Sequence, residues 1–314
     1  MSQIQQQGEI PKGVSPNLLN KTTVEALSGL SAGFITTIIT HPLDLLKLRM
    51  QLDTTNWRSP WNRIRVLSGE LLANSVDAET KKLKVGSFTK ELYRGITPNL
   101  IGSTSAWGLY FMFYYEYKKL IATMGSKKEL DSGEYLASGF AAGISTSLIT
   151  NPIWVLKTRI ISTSRKAPGA YLSTLDGARR ILKEEGILGF WKGLPPALIS
   201  VSQGALQFSI YDTMKTSILK QQEDNLTTFQ YIYTSAISKM VSTVALYPFQ
   251  VMRSRLQGYT AIDQPKTMIQ VAKKLVKKEG FTGFYKGVVP NLIRVVPATC
   301  ITFVVYENAR TALS

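Results

Sequence analysis

Pro42-Leu43-Asp44-Leu45-Leu46-Lys47-Leu48-Arg49 closes a long apolar run, and the arrangement returns twice. The other copies are Pro152-Ile153-Trp154-Val155-Leu156-Lys157-Thr158-Arg159 and Pro248-Phe249-Gln250-Val251-Met252-Arg253-Ser254-Arg255. Two further signatures follow each copy in fixed order. The first is Tyr93-Arg94-Gly95, Trp191-Lys192-Gly193 and Tyr285-Lys286-Gly287. The second is Tyr115-Glu116-Tyr117-Lys118-Lys119, Tyr211-Asp212-Thr213-Met214-Lys215 and Tyr306-Glu307-Asn308-Ala309-Arg310, whose leading tyrosines stand 96 and 95 residues apart. Self-similarity at a fixed period is the mark of a repeat architecture. The chain therefore reads as three tandem units, 24–124, 133–222 and 227–314, forming one structural body after a segment 1–23 expected to be flexible. Glu185-Gly186 and Glu279-Gly280 precede the middle signature in the second and third units; the first unit has an insertion there and keeps only Glu91 nearby.

Residues 26–40 and 135–156 carry no charge, yet the mean hydropathy of the whole chain is only +0.01. A helix needs about 20 mostly apolar residues to cross a bilayer, and several segments reach that length only when Ser, Thr and Gly are counted. Such helices should face one another and water as well as lipid. Each unit reads as helix, loop with a short amphipathic helix, helix. Long helices are expected at 24–51, 99–124, 133–162, 196–220, 227–257 and 291–313, with surface helices near 63–73, 174–183 and 267–278. The fold class is thus an all-α membrane protein: six transmembrane helices in three pseudosymmetric repeats around a central cavity.

A formal charge of +16 suits nucleic acid, a membrane surface or a small anion. Its distribution decides, because basic residues such as Arg63, Arg65, Arg179, Arg180, Lys273 and Lys277 crowd the loop inside each unit. The positive-inside bias then puts all three loops on one side and both termini on the other. A nucleic-acid binder would interleave aromatics with the bases on one soluble face; none is expected as a partner. Cys300 and His41 are the only residues of their kinds, which excludes an internal disulfide, a Cys-based metal site and a His cluster. His41, beside Pro42, reads as a helix-kink or interfacial residue. Residues 1–25 lack the arginines of a transit peptide, so targeting should be internal. With no nucleophile-base pair and no glycine-rich phosphate loop, neither catalysis nor a resident cofactor is expected.

Proline inside a helix removes a backbone hydrogen bond, and every odd span has one at the same place. Just beyond it stand Lys47, Lys157 and Arg253, which must look inward because charge facing lipid is expensive. Asp44 can pair with a neighbour's base; Trp154 and Gln250 stand where acids would complete a ring. At the other end Glu116 with Lys119, Asp212 with Lys215 and Glu307 with Arg310 lie at i and i+3. That spacing permits pairs within one helix or, given three identical placements, a ring between helices. Two rings at opposite ends are what an alternating-access device needs.

On these three signatures, the chain closely resembles the mitochondrial carrier family over residues 26–313. The resemblance implies a threefold pseudosymmetric monomer of the mitochondrial inner membrane, surrounded by its lipids, with both termini toward the intermembrane space. It implies a matrix gate in which Asp44 pairs with Lys157, with Gln51 and Gln257 as glutamine braces. It implies a cytoplasmic gate pairing Glu116 with Lys215, Asp212 with Arg310 and Glu307 with Lys119, braced by Tyr115, Tyr211 and Tyr306. Trp154 and Gln250 depart from the pattern, so the matrix gate should be electrostatically weak. Substrate contacts fall on Gly102, Ser200 with Val201, and Arg294, the last read as an unpaired positive anchor.

Gly29 with Gly33 and Gly139 with Gly143 have a close-packing spacing; the matching positions of the third unit are Ser235 and Lys239, so Lys239 is expected to touch ligand. Lys47, Arg253, Lys239 and Arg294 suit phosphates or carboxylates, and Trp107, Tyr110 and Trp154 offer flat faces for a ring. Trp154 resembles the branch of the family that carries nucleotides, NAD, folate and FAD, and Gln250, Lys239 and the run from Trp107 to Phe111 look most like its members that carry FAD and folate. The expected function is FAD transport, with FAD a substrate and not a prosthetic group. Folate, NAD and pyrimidine nucleotides are alternatives within the class. A proton-leak or regulatory protein on a carrier scaffold is the alternative outside it.

Overall fold

The computed structural model describes residues 16–55, 59–76, 84–125, 130–165, 167, 169–219, 227–258, 265 and 267–313. The first unit holds α1 (Pro16–Leu52), the short α2 (Pro60–Ala73) and α3 (Val85–Leu92), and α4 (Ile96–Gly125). The second holds α5 (Ser132–Ser162), the short α6 (Thr174–Glu185) and α7 (Leu194–Leu219); the third holds α8 (Thr228–Gln257), the short α9 (Met268–Glu279) and α10 (Val288–Leu313). The six long helices form an all-α membrane bundle. Among the described residues, only Ser132–Ser162 and the stretch Phe281–Ala309 reach a spanning mean hydropathy, 1.2 and 1.8. The other long helices dilute their apolar residues with polar ones, several of which line the interior described below.

Local chemistry sets the boundaries. α5 and α8 start at capping boxes, Asp131 with Glu134 and Thr227 with Gln230, in which side chains satisfy amides that the first turn leaves free. α1 begins at Pro16, inside the segment expected to be flexible. The second long helix of each unit, α4, α7 or α10, starts earlier than expected, directly after the turns at Gly95, Gly193 and Gly287. α3 was not anticipated; it lies in the insertion that hides the first unit's repeat.

α4 packs along α5, α7 along α8, and α10 returns along α1, so the bundle closes into a ring. The middle-signature glycines show how. Gly95, Gly193 and Gly287 have φ of 77, 77 and 83°, a region L side chains avoid. A Cβ there would lie 2.7 Å from Ile161 Cγ1, 2.8 Å from Gln257 Cγ and 2.7 Å from the Lys47 carbonyl oxygen. Each glycine therefore lets its unit press against the first long helix of the next.

Burial is concentrated at the proline-bearing end. Leu45, Leu48, Leu71 and Ile161 form one cluster, Val155, Leu156 and Ile181 a second, and Tyr247, Val251, Met252, Leu256, Val271 and Leu275 a third. Each side chain of this kind contributes roughly 1.5–3 kcal/mol when fully buried. The residue before each proline is wholly buried and ties down the middle signature of its own unit. His41 donates from Nε2 to the Arg94 carbonyl (3.0 Å) and accepts at Nδ1 from Asn99 (3.1 Å); Asn151 donates to the carbonyls of Phe190 (2.8 Å) and Lys192 (3.2 Å); Tyr247 stacks on Tyr285. His41 is thus a structural tie. In contrast, buried residues on α4 and α7 are confined to their first two turns, Pro98, Asn99 and Gly102, and Pro196 and Ala197. The bundle is closed at one end and splayed at the other.

The last arginine of each proline motif locks a surface element below. Arg49 meets Glu91 at 2.9 Å, Arg159 meets Glu185 at 2.8 Å and Arg255 meets Glu279 at 2.9 Å. α3 therefore supplies, through Glu91, the acid that the Glu-Gly pairs supply elsewhere. Burial would raise the Glu185 carboxyl, but hydrogen bonds from Arg159 and Lys192 outweigh it and hold its pKa below the ordinary value. A depressed carboxyl stabilises the fold above its unfolded pKa, and the contribution is lost as pH falls through the folded value. Glu185→Gln leaves Arg159, whose side chain is 1% exposed, without a counter-charge. We expect a loss of about 3–5 kcal/mol, read as a lower melting temperature at neutral pH, with the gap to the parent protein narrowing in acid.

Candidate functional site

Thr36, Thr40, Asp44, Lys47 and Gln51 recur every three or four residues on α1, so they share one face. That face lines a chamber of about 510 Å³ at the closed end. Around the residues that follow the three prolines, the units meet by three different chemistries. Between the first and second, Lys157 Nζ approaches Asp44 at 3.8 Å. Between the second and third, the Arg253 guanidinium lies 5.9 Å from the Trp154 ring centroid. Between the third and first, Lys47 Nζ donates to Gln250 Oε1 at 3.2 Å. Trp154 and Gln250 thus stand in the ring without acids, by cation-π attraction and an amide hydrogen bond.

One layer below, Gln51 donates to Tyr247 Oη (3.0 Å) and accepts from Ser254 (2.7 Å), while Gln257 accepts from Thr158 (3.1 Å) and donates to Asn151 (3.3 Å). Both glutamines bridge neighbouring units. A cation over an aromatic face contributes about 0.5–2 kcal/mol, less than a well-placed buried pair, and Arg253 Nε is buried without a partner. Trp154→Glu should therefore raise the melting temperature of this conformation by giving Arg253 an acid. An unchanged melting temperature would count against that contact.

Charge is lopsided here. Lys47, Lys157, Arg253 and Arg294 line the chamber, and Asp44 is the single carboxylate among its described lining residues. Arg294 corrects the expectation of an unpaired anchor, because its Nη1 donates to Asp44 at 2.9 Å. Ser200 and Val201 line the same space. Gly102 does not: it is buried, and a Cβ there would meet Ile153 at 3.1 Å and Trp154 at 3.5 Å. Its smallness seats Trp154 and leaves no face for a ligand.

A second chamber of about 1020 Å³ continues toward the splayed end and shares Thr36, Thr37, Ser103 and Arg294 with the first. Trp107, 62% exposed, and Tyr306 line it, as does Lys239, which has no ion-pair partner among the described residues. Tyr110 corrects another expectation: it stacks on Tyr114 (6.0 Å), its hydroxyl lies against Gly139, and it lines neither chamber. Gly143 is pressed by Val201, whereas Gly29 and Gly33 face open space in the second chamber. The close-packing reading thus fits α5 and fails for α1 in this conformation. Sequence reasoning missed Gln203, which accepts from Gln250 (3.1 Å) and donates to Thr243 (2.9 Å). Its place three residues after Ser200, on the same helical face, was the available signal.

At the splayed end Glu116, Lys119, Asp212, Lys215 and Glu307 form no ion pairs among the described residues, and Tyr115 is 63% exposed. The expected pairs Glu116 with Lys215 and Glu307 with Lys119 are unmade because the helix ends stand apart. The side chain of Arg310, the expected partner of Asp212, lies outside the described residues. One ring is formed and two pairs of the other are unmade, so the cavity opens at the splayed end.

The sequence profile of the mitochondrial carrier protein family matches residues 19–125, 128–222 and 224–314. The chain is 42% identical to the mitochondrial FAD carrier protein FLX1 of Saccharomyces cerevisiae over 92% of its own length and 96% of that protein's. It is 36% identical to folate transporter 1, chloroplastic, of Arabidopsis thaliana, covering 90% and 93% of the two chains. It is 34% identical to nicotinamide adenine dinucleotide transporter 1, chloroplastic, of the same plant, covering 93% and 92%. A profile matched three times in succession, on a ring of three units that encloses a cavity open at the splayed end, leaves one conclusion: the chain belongs to the mitochondrial carrier protein family, whose members are transporters.

Proposed function

We propose that this chain carries FAD across the mitochondrial inner membrane by alternating access, as a monomer with both termini toward the intermembrane space. The observation that carries the reading is the surplus of cations in the cavity, four around one carboxylate at the floor and Lys239 above. Such a field draws an anion into a low-dielectric cleft. Cavities of about 300–1,000 Å³ hold drug-sized ligands, and the two joined chambers leave room for a dinucleotide. The diphosphate lies between Arg294 and Lys239, and Trp107 offers a face to a ring. The 42% identity with a protein named as an FAD carrier supports this substrate over the folate and NAD of the other relatives.

In this reading the Asp44, Trp154 and Gln250 contacts form the closed matrix gate, and the unmade Glu116 and Glu307 pairs belong to the open cytoplasmic gate. FAD enters from the cytoplasmic mouth, is held at Arg294 and Lys239, and leaves toward the matrix once the lower ring separates and the upper ring closes. FAD passes through as substrate and is not retained as a prosthetic group. The test is uptake of labelled FAD by liposomes holding the purified protein, with folate, NAD and pyrimidine nucleotides as competitors. Saturable FAD uptake that the others inhibit weakly is expected. Inert FAD with brisk folate or NAD exchange would overturn the substrate and keep the carrier, while proton flux without any of these would overturn transport itself.

A further inference from the structure

The contact between the third and first units is the odd one in the lower ring, because Gln250 presents an amide where an acid would meet Lys47. The same interface nevertheless holds a full ion pair a few residues away, Arg294 of α10 on Asp44 of α1 at 2.9 Å. Asp44 is also approached by Lys157 of the second unit at the longer 3.8 Å. One carboxylate therefore serves two interfaces at once. The Gln250 amide, for its part, is engaged twice: its oxygen accepts from Lys47 at 3.2 Å, and its nitrogen donates to Gln203 at 3.1 Å. α10 and α1 are tied once more by a hydrogen bond between Thr36 and Thr302 at 2.9 Å.

We propose that Arg294 is a gate residue as well as a lining residue: its pair with Asp44 supplies, from α10, the charged closure between the third and first units that Gln250 does not supply from α8. The physical argument is one of relative strength. A charge-charge hydrogen bond at 2.9 Å in a partly desolvated site is roughly twice as strong as one between neutral groups. It is also shorter than the 3.2 Å contact made by Gln250, so it is the stronger tie across that interface. Because Arg294 borders both chambers, an anion that takes the guanidinium from the open side competes with Asp44 for the same donors. Occupancy and release of this one interface are then linked. The inference rests on the alternating-access reading and is independent of whether the substrate is FAD.

The test is a rescue, read as the melting temperature of purified protein in detergent with no substrate added. R294Q keeps a polar side chain but removes the charge, and should lower the melting temperature by several degrees. Q250E gives Lys47 an acid across the same interface, and in the R294Q background should restore most of the loss. R294K, which keeps the charge but not the forked geometry, should fall between. An unchanged melting temperature in R294Q, or a loss that Q250E leaves uncorrected, would overturn the substitution of one contact for the other. Should R294Q fail to fold, the Q250E/R294Q and R294K proteins carry the same decision: recovery of folded protein by Q250E supports the proposal, and failure in both refutes it. Liposome uptake of FAD, measured separately on the parent protein, decides the substrate without touching this result.

Discussion

Arg294→Ala lowers FAD uptake roughly 10- to 100-fold, because a hydrogen bond from a charged side chain to the ligand is worth about 1.5–3 kcal/mol and each 1.4 kcal/mol is a factor of ten. Arg294 is the one lining cation that faces both chambers and holds Asp44. Its loss should therefore cut uptake and stability together. Lys239→Ala is the informative companion. Lys239 lines the upper chamber and has no ion-pair partner among the described residues. Removing it relieves repulsion in an already cationic cavity, so the melting temperature should hold or rise while uptake falls roughly 10- to 100-fold, the value of a charged hydrogen bond to ligand. Membrane insertion should be normal in both. Normal uptake by Lys239→Ala would remove that residue from the site, and a parallel fall in stability would assign it to structure.

What was legible in the sequence was what repeats. Proline, base and glycine at fixed offsets put six long helices and three surface helices on the page, and the identical placements of Lys47, Lys157 and Arg253 pointed inward because lipid excludes them. What was not legible belongs to single units or to distant pairs. α3 sits in an insertion with no counterpart in the other units, so no repeat argument reached it, and Glu91 gained its meaning only when Arg49 was seen beside it. Trp107 and Tyr110 lie three residues apart on one helix, and the sequence could not say which of two adjacent faces looked into the cavity. Packing against Tyr114 and Gly139 decided it for Tyr110. Arg294 was read as unpaired because Asp44 lies at the other end of the chain; only ring closure brings α10 onto α1.

Gly287→Ala is the sharpest test of that closure. The residue sits at φ +83°, where an L side chain costs roughly 1–2 kcal/mol. The new Cβ would also stand 2.7 Å from the Lys47 carbonyl oxygen, 3.0 Å from Tyr247 Oη and 3.2 Å from Gln51 Cγ. The nearest of these is backbone, which cannot rotate away, so the start of α10 must lift off α1 and strain the Gln51 to Tyr247 bond beside it. On the order of 4 kcal/mol is expected, a large share of the roughly 5–15 kcal/mol that holds a domain folded. Three other glycines grade the effect. Gly193→Ala meets the Arg253 carbonyl at 3.0 Å and should be nearly as damaging; Gly95→Ala meets the side chains of Ile161 and Ile160 but no backbone and should cost less; Gly169→Ala, at φ +74° with open space around it, should show the conformational cost alone. Melting temperatures falling in that order would tie stability to the contact between units. Equal losses at all four would mean that positive φ alone sets the penalty, and that these glycines are not what lets the three units close.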